Sequence, residues 1–283
     1  MVRIGAHVSI EGGLDKAINR AQNIGADCIQ IFGSSPRSWR PPSHSPGSIE
    51  LFKVTRASIG IDPVFLHTIY LANLASSDHG LRAKSVESLA AYLRLGQLIG
   101  VAGVVTHLGS GTDGERAVCL ALRRALIEVA SDVAILLETS AGAGSSIGSN
   151  FESLGRIIAG LDFSPRVQVC LDTAHVFAAG YDVSSAEGLE RTLSLFAERV
   201  GLDRLTLVHI NDSKSAIGSR VDRHENIGQG RIGLEAFVRI LHHPELKCLP
   251  FITEVPGLAG EGPGRKDVSL LKRLAGVEGM SDR

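Results

Sequence analysis

Short apolar runs recur along the chain at intervals of roughly 35 residues, the length of one strand–helix unit. Six in succession end on or carry a side chain able to bind a metal. The runs are Val2–Ala6, Cys28–Phe32, Pro63–Leu66, Gly103–Thr106, Val133–Leu137, Val167–Leu171, Leu205–Ile210 and Pro250–Thr253. Between them lie amphipathic stretches of helical period, among them Leu14–Ile24, Leu81–Ile99, Arg116–Ala130 and Ala186–Val200. Eight such units predict an α/β chain, a single-domain (β/α)8 TIM barrel over residues 1–283, with 276–283 as a frayed tail. An open doubly wound sheet alternates the same way, but a dinucleotide fold opens on a Gly-x-Gly-x-x-Gly turn. Here the first run leads into HVSIEGG.

The third run is followed by His67 and the fourth by His107. The fifth is followed by Glu138, the sixth by Asp172 and the eighth by Glu254, while the seventh, LTLVHIND, carries His209. In a barrel these strand ends form one rim, where such folds build their active sites. Donors far apart in sequence would therefore converge. Two pairs sit just beyond strand ends: Asp172 with His175, and Asp222 with His224 in SRVDRHENIGQG. Taken singly, an Asp after a strand is a helix N-cap and a lone histidine is a core or capping residue. The joint pattern points to metal. His7 also ends a run and is expected beside the ligands, not among them. His44, His79, His242 and His243 are expected in solvent, and GSSPRSWRPPSHSPGS (Gly33–Ser48) reads as a long surface loop.

Nine nitrogen and oxygen donors exceed what one tetrahedral ion can use, since a single hydrolytic zinc takes three protein ligands and keeps one position open. With one carboxylate bridging, they suit two or three borderline metals. Clustered ions of that kind activate water and clamp the attacking and leaving oxygens of a phosphoryl transfer.

The bulk composition is permissive. Net charge is −1, so nucleic acid is not bound through overall positive charge, although a local basic cleft is compatible with it. The four cysteines, Cys28, Cys119, Cys170 and Cys248, are widely spaced and form no Cys-x-x-Cys pair, which argues against a disulfide framework or a structural zinc knuckle. The start, MVRIGAHVSIEGG, lacks the apolar core of a signal peptide, and no run is long enough to span a membrane. The expected setting is cytoplasmic, on nucleoid DNA, without membrane contact.

IGAHVS, SWR, CLDTAHVFAAGYD, HINDSK and SRVDRHENIGQG resemble motifs of endonuclease IV, the zinc-dependent family that cuts DNA at abasic sites. The similarity runs from Met1 to about Leu274. It implies a TIM barrel with about three zinc ions per chain, manganese being acceptable to the same donors at one site. His67, His107 and Glu138 would hold one ion. Glu138 would bridge to a second, held also by Asp172, His209 and Glu254, and His175, Asp222 and His224 would hold the third. The implied reaction is attack of a metal-bound hydroxide on the phosphate 5′ of the abasic sugar of double-stranded DNA. It leaves a 3′-hydroxyl and a 5′-deoxyribose phosphate, and activity on blocked 3′ ends is implied as well. Glu138 and Glu254 are the catalytic carboxylates, Glu254 orienting or deprotonating the attacking water. Arg37 matches the residue that enters the base stack, and Tyr70 and Leu71 match those that fill the gap left by the extruded nucleotide. Lys214, Arg220 and Arg223 would meet backbone phosphates, and the expected state is a monomer.

Two positions depart from the family pattern. Ala143 and Ser38 stand where glutamines are common, which touches DNA affinity and not the metal donors. Two other readings fit parts of the sequence. A sugar isomerase or epimerase on a related barrel would use about four to six such donors around one or two divalent ions. A DNA-binding scaffold without cleavage would leave nine buried donors without a cation to satisfy them.

Overall fold

The computed structural model describes residues 2–257 and 260–277, and in it eight parallel strands close on themselves. The barrel strands are β1 (Arg3–His7), β2 (Cys28–Phe32), β3 (Val64–His67), β4 (Gly103–Thr106), β5 (Ala134–Glu138), β6 (Val167–Asp172), β7 (Leu205–His209) and β10 (Pro250–Thr253). Neighbours follow chain order around the ring, with β10 between β7 and β1. A short antiparallel hairpin of β8 (Asp212–Ser213) and β9 (His224–Glu225) projects between β7 and β10. Helices α1 (Leu14–Ile24), α2 (Pro46–Ile59), α3 (His79–Ile99), α4 (Gly114–Glu128), α5 (Phe151–Ala159), α6 (Thr173–Ala179), α7 (Ala186–Arg199), α8 (Leu234–His242) and α9 (Arg265–Leu274) fill the crossovers and close the chain.

Each predicted strand agrees with the observed one to within a residue at either end. The predicted runs stop at the last apolar residue, whereas β1, β3, β5 and β6 continue onto the polar residue that follows. The Pro- and Ser-rich loop is shorter than expected. Ser45 caps α2 by accepting the N–H of Ser48 at 3.2 Å, and Pro46 takes the first helical position, where its missing N–H costs nothing. Two histidines expected in solvent are instead half-buried and bonded. His44 Nε2 reaches the Gly33 carbonyl at 2.8 Å, and His243 Nε2 lies 3.1 Å from Glu190. His79 and His242 are exposed. Of the expected tail, Gly276 and Val277 donate to the carbonyls of Arg273 and Lys272, and 278–283 lie outside the described residues.

The barrel interior explains where the site sits. Cys28, Phe65, Val105, Leu136, Cys170, Leu207 and Ile252 form one buried apolar layer, one residue from each of seven strands. The eighth strand contributes Gly5, where an added Cβ would stand 1.8 Å from the Cys28 carbonyl oxygen. Side chains on a strand repeat their direction every second residue. Two residues beyond this layer, the strands and their ends therefore present His7, Gln30, His67, His107, Glu138, Asp172, His209 and Glu254 on the same inner face. The apolar layer is the floor and the polar ring is the site. All four cysteines are free, and burial pushes the Cys170 thiol up to about 12, consistent with a packing role. Among the described residues no helix is long and apolar enough to cross a membrane.

Candidate metal centre

Glu138, on β5, is the hub. Its Oε2 lies 3.2 Å from His67 Nε2 and 3.1 Å from His107 Nδ1, and its Oε1 lies 3.0 Å from His209 Nδ1. His209 Nδ1 is also 3.3 Å from Glu254 Oε2 and 3.8 Å from Asp172 Oδ2. Across the rim, His175 Nε2 stands 3.2 Å from Asp222 Oδ2, and His224 Nε2 stands 3.5 Å from both Asp222 Oδ1 and Asp172 Oδ2. All nine sequence-predicted donors come together at one rim, seven of them lining a single cavity and Asp172 and His209 buried beneath it.

Eight of them fall into three groups whose donor atoms lie within 4.8 Å of one another: His67, His107 and Glu138; Glu138, Asp172, His209 and Glu254; and Asp172, His175 and His224. The first two match the expected grouping. In the third, Asp172 stands with His175 and His224, and Asp222 approaches both imidazoles from the exposed side.

The outer nitrogens are fixed by protein oxygens. His67 Nδ1 donates to the Thr68 carbonyl at 2.7 Å, His175 Nδ1 to the Thr139 carbonyl at 2.8 Å, and His209 Nε2 to Gln30 Oε1 at 2.9 Å. Each ring thereby turns its other nitrogen inward, the arrangement by which outer contacts orient metal-binding histidines. A neutral imidazole lone pair repels a carboxylate oxygen at 3 Å unless a proton or a cation lies between them. Without a cation the protons must fill that role. Burial disfavours the charged forms of His175 and His209, but Asp172, Asp222 and Glu138 around the one, and the Cys170 sulfur, Glu254 and Glu138 around the other, raise both well above the usual imidazole range. Burial likewise opposes ionisation of Glu138, and His107 and His209 overcome it, holding the carboxyl well below its usual range.

The donor chemistry fits zinc. Bonds of about 2.0–2.2 Å in a tetrahedron put donors roughly 3.4 Å apart, close to the spacings here. His224 Nε2 is buried with no hydrogen-bond partner among the described residues, although two carboxylate oxygens stand 3.5 Å away. A shared cation accounts for that geometry and a hydrogen bond does not.

The hairpin that carries Asp222 and His224 is held from below by Asp212. This buried carboxylate accepts the N–H groups of Ser213, Gly228, Gly230 and Ile232 at 2.8–3.0 Å. Gly230 has no room for a side chain, since an added Cβ would meet Asp212 Oδ1 at 2.4 Å. The hairpin tip is tied to α6 through Gly218 N–H to the Phe177 carbonyl and Arg220 N–H to the Ala178 carbonyl. Gln30, Asp212 and Asn211 were not singled out in the sequence. Asn211 donates to Asp172 Oδ2 at 2.7 Å and accepts the Glu254 N–H at 2.7 Å. Gln30 lies two residues beyond the apolar layer, as the donors do, but Ile31 and Phe32 follow it, so it does not mark the end of its run as they do.

The donors open onto a cavity of about 900 Å³ that Arg37, Tyr70 and Arg223 also line. Tyr70, 58% exposed, packs edge-on against Phe32 at 5.2 Å, and its N–H bonds to the Pro36 carbonyl, joining the Arg37 loop to the Tyr70 loop. Leu71 is exposed beside it. Lys214 and Arg220 are exposed on the hairpin outside that lining, and Arg220 adopts a left-handed φ of 57°. Its stem approaches Gly142, next to the exposed Ala143. Ser38 Oγ accepts the Arg40 N–H at 3.1 Å. A second cavity of about 700 Å³ is bordered by Arg166, whose guanidinium is already taken up by the carbonyls of Leu126, Val129 and Val133. It offers no comparable chemistry.

Comparison with known proteins agrees with this site. The profile of the family described as xylose isomerase-like TIM barrel matches residues 18–274. A protein of Methanoculleus marisnigri named "Probable endonuclease 4" is 44% identical over 262 residues, covering 90% of this chain and 93% of its own. A namesake from Chloroflexus aurantiacus is 40% identical over 97% of this chain and 98% of its own. The crystal structure of endonuclease IV from Thermus thermophilus superposes with a TM-score of 0.86 at 39% identity, covering 96% and 97% of the two chains. A D-tagatose 3-epimerase-like protein superposes at 0.72 with 19% identity, a likeness of fold alone. With its nine converging donors on a barrel of that architecture, the chain belongs to the endonuclease IV family.

Proposed function

We propose that this DNA-cleaving hydrolase cuts the phosphodiester 5′ of an abasic site in double-stranded DNA, leaving a 3′-hydroxyl and a 5′-deoxyribose phosphate. The observation that carries this reading is the convergence of nine histidine and carboxylate donors around Glu138 at one rim. His67, His107 and Glu138 would hold one zinc; Glu138, Asp172, His209 and Glu254 a second; His175, Asp222 and His224 a third, with Asp172 also within reach of it. When bound, such ions neutralise charge on the phosphoryl and leaving oxygens and make water nucleophilic near neutral pH. The same centre would act on 3′-phosphate and 3′-phosphodiester ends.

The protein's own residues orient the reactants. Burial opposes ionisation of Glu254, but His209 and His7 hold its carboxyl well below the usual range, so it is ionised at neutral pH and can orient a water by accepting its hydrogen bond. Asp172 and Glu138 keep the imidazoles facing inward. Arg37, Tyr70 and Leu71 stand on two joined loops beside the donors, suited to occupy the stack when a nucleotide is extruded. An abasic nucleotide costs less to extrude than an intact one because it has no base to unstack. Lys214, Arg220 and Arg223 would contact phosphates, which reconciles binding of DNA with a net charge of −1. The enzyme would act as a cytoplasmic monomer on nucleoid DNA.

The test is incubation of purified, zinc-loaded protein with a duplex carrying a tetrahydrofuran abasic analogue, without magnesium. Incision immediately 5′ of the analogue is the expected result. An uncut duplex, with turnover of a ketose or aldose instead, would transfer the chain to the isomerase reading.

A further inference from the structure

The polar ring above the apolar floor has eight members, one per strand, and six of them are metal donors under the reading above, on which this inference rests. The remaining two, His7 and Gln30, come from the adjacent strands β1 and β2. Gln30 is fully buried and carries no charge. Its amide lies between two of the proposed ligands, with Nε2 2.6 Å from Glu254 Oε1 and Oε1 2.9 Å from His209 Nε2.

We propose that Gln30 is a positioning residue that sets the inward-facing nitrogen of His209 and the orientation of Glu254 together. The orientation of the amide follows from donor and acceptor chemistry. An ionised carboxylate only accepts, so the 2.6 Å contact with Glu254 requires the amide nitrogen. The amide oxygen is then turned to His209 Nε2, which must carry a hydrogen. With Nε2–H held outward, Nδ1 is the nitrogen left to take a cation at the centre, where it faces Glu138, Glu254 and Asp172. At the other end, Gln30 holds Oε1 of Glu254 outward and leaves Oε2 for the site. His7 Nδ1 stands 3.0 Å from both Gln30 Nε2 and Glu254 Oε1 and backs the same oxygen. Outer contacts of this kind typically change metal affinity or activity by about 10–100-fold. A leucine fills the same space without either bond. A glutamate keeps the acceptor for His209 but sets a second carboxylate against Glu254.

Two variants, Gln30→Leu and Gln30→Glu, separate the two ends of the amide. The first readout needs no metal: in the chelated protein, imidazole 1H–15N spectra should show an exchange-protected Nε2–H on His209. It should persist in Gln30→Glu and be lost in Gln30→Leu. The second is zinc release to a competing chelator. Both variants should release one ion of the set about 10–100-fold more readily than wild type, with kcat lowered similarly and KM for duplex unchanged. A folded Gln30→Leu that keeps both the protected proton and wild-type zinc retention overturns the proposal. If Gln30→Leu does not fold, Gln30→Glu decides, and wild-type retention and kcat in that variant overturn it equally. Wild-type protein that binds no zinc would remove the reading of the centre, while the metal-free proton measurement would still decide the role of Gln30.

Discussion

Asp172 bonds to His175 through the backbone: its Oδ1 accepts the His175 N–H at 3.0 Å and caps α6, while Oδ2 faces the centre. In the sequence, helix cap and metal ligand looked like competing uses of this carboxylate. One residue serves both, because its two oxygens point apart. Asp172→Asn keeps an oxygen for the cap and removes the charge from the centre. We expect a stability loss of about 1–3 kcal/mol, since the new amide nitrogen faces the buried Asn211 Nδ2 that Asp172 Oδ2 now accepts from at 2.7 Å, and incision slowed at least about a hundredfold. Thermal unfolding and a single-turnover nicking assay measure the two. Full activity in the variant would exclude Asp172 from the centre.

Tyr70 and Leu71 are exposed beside the cavity, and Tyr70 meets the donor His67 ring to ring at 6.2 Å. Replacing either with alanine should leave zinc content unchanged and weaken binding to abasic duplex by about 1–3 kcal/mol, the range of one lost stacking contact. Fluorescence anisotropy with an abasic and an intact duplex checks this. Equal losses on both duplexes would show that the loop meets the backbone and not the gap.

Lys214, Arg220 and Arg223 are exposed, and their proposed partners are phosphates. Each phosphate contact contributes about 0.9 to the slope of log affinity against log salt. The triple alanine variant should therefore lower the slope by roughly 2.7, with binding weakened similarly for every sequence. A slope equal to wild type would assign these cations to solvent.

Asp182 supplies a pH-dependent element away from the centre. Burial would raise its carboxyl, but the hydroxyl and N–H groups of Ser184 and Ser185 outweigh that and bring it to about 2. The unfolded value is near 3.9, so the folded state gains stability from the ionised form. That gain is complete above about pH 5 and is lost as pH falls through about 4 toward 2. Urea midpoints of chelated wild type and Asp182→Asn should differ by a constant amount above pH 5 and converge below pH 4. A difference that persists unchanged at pH 2.5 would contradict this.

Most of the barrel was legible because a buried parallel strand is an unbroken apolar run, and the polar residue that ends the run marks the rim. Six of the nine donors followed from that marking, and His175, Asp222 and His224 from the Asp–His pairs just beyond the strand ends. What stayed hidden has physical reasons. Gln30 sits inside CIQIF, where a glutamine reads as one polar interruption, and only the closed barrel shows it two residues beyond the Cys28 layer, as His67 is beyond Phe65 and Glu138 beyond Leu136. The hairpin β8–β9 has two residues per strand, too few for any period to appear. Asp212 looked like one more carboxylate in HINDSK, because its four N–H partners lie in its own neighbour and up to 20 residues away. The start of α2 was masked by serines and prolines that also build loops, and Ser45 and Pro46 are the cap and first residue of a helix.

The central claim is that these donors seat three cations that cut DNA, and one preparation can decide it. Elemental analysis and abasic-duplex incision should be measured side by side on the same purified protein. The account predicts about three zinc ions per chain and incision that disappears on chelation and returns with zinc. One tightly bound ion per chain, with the duplex left whole, would contradict it.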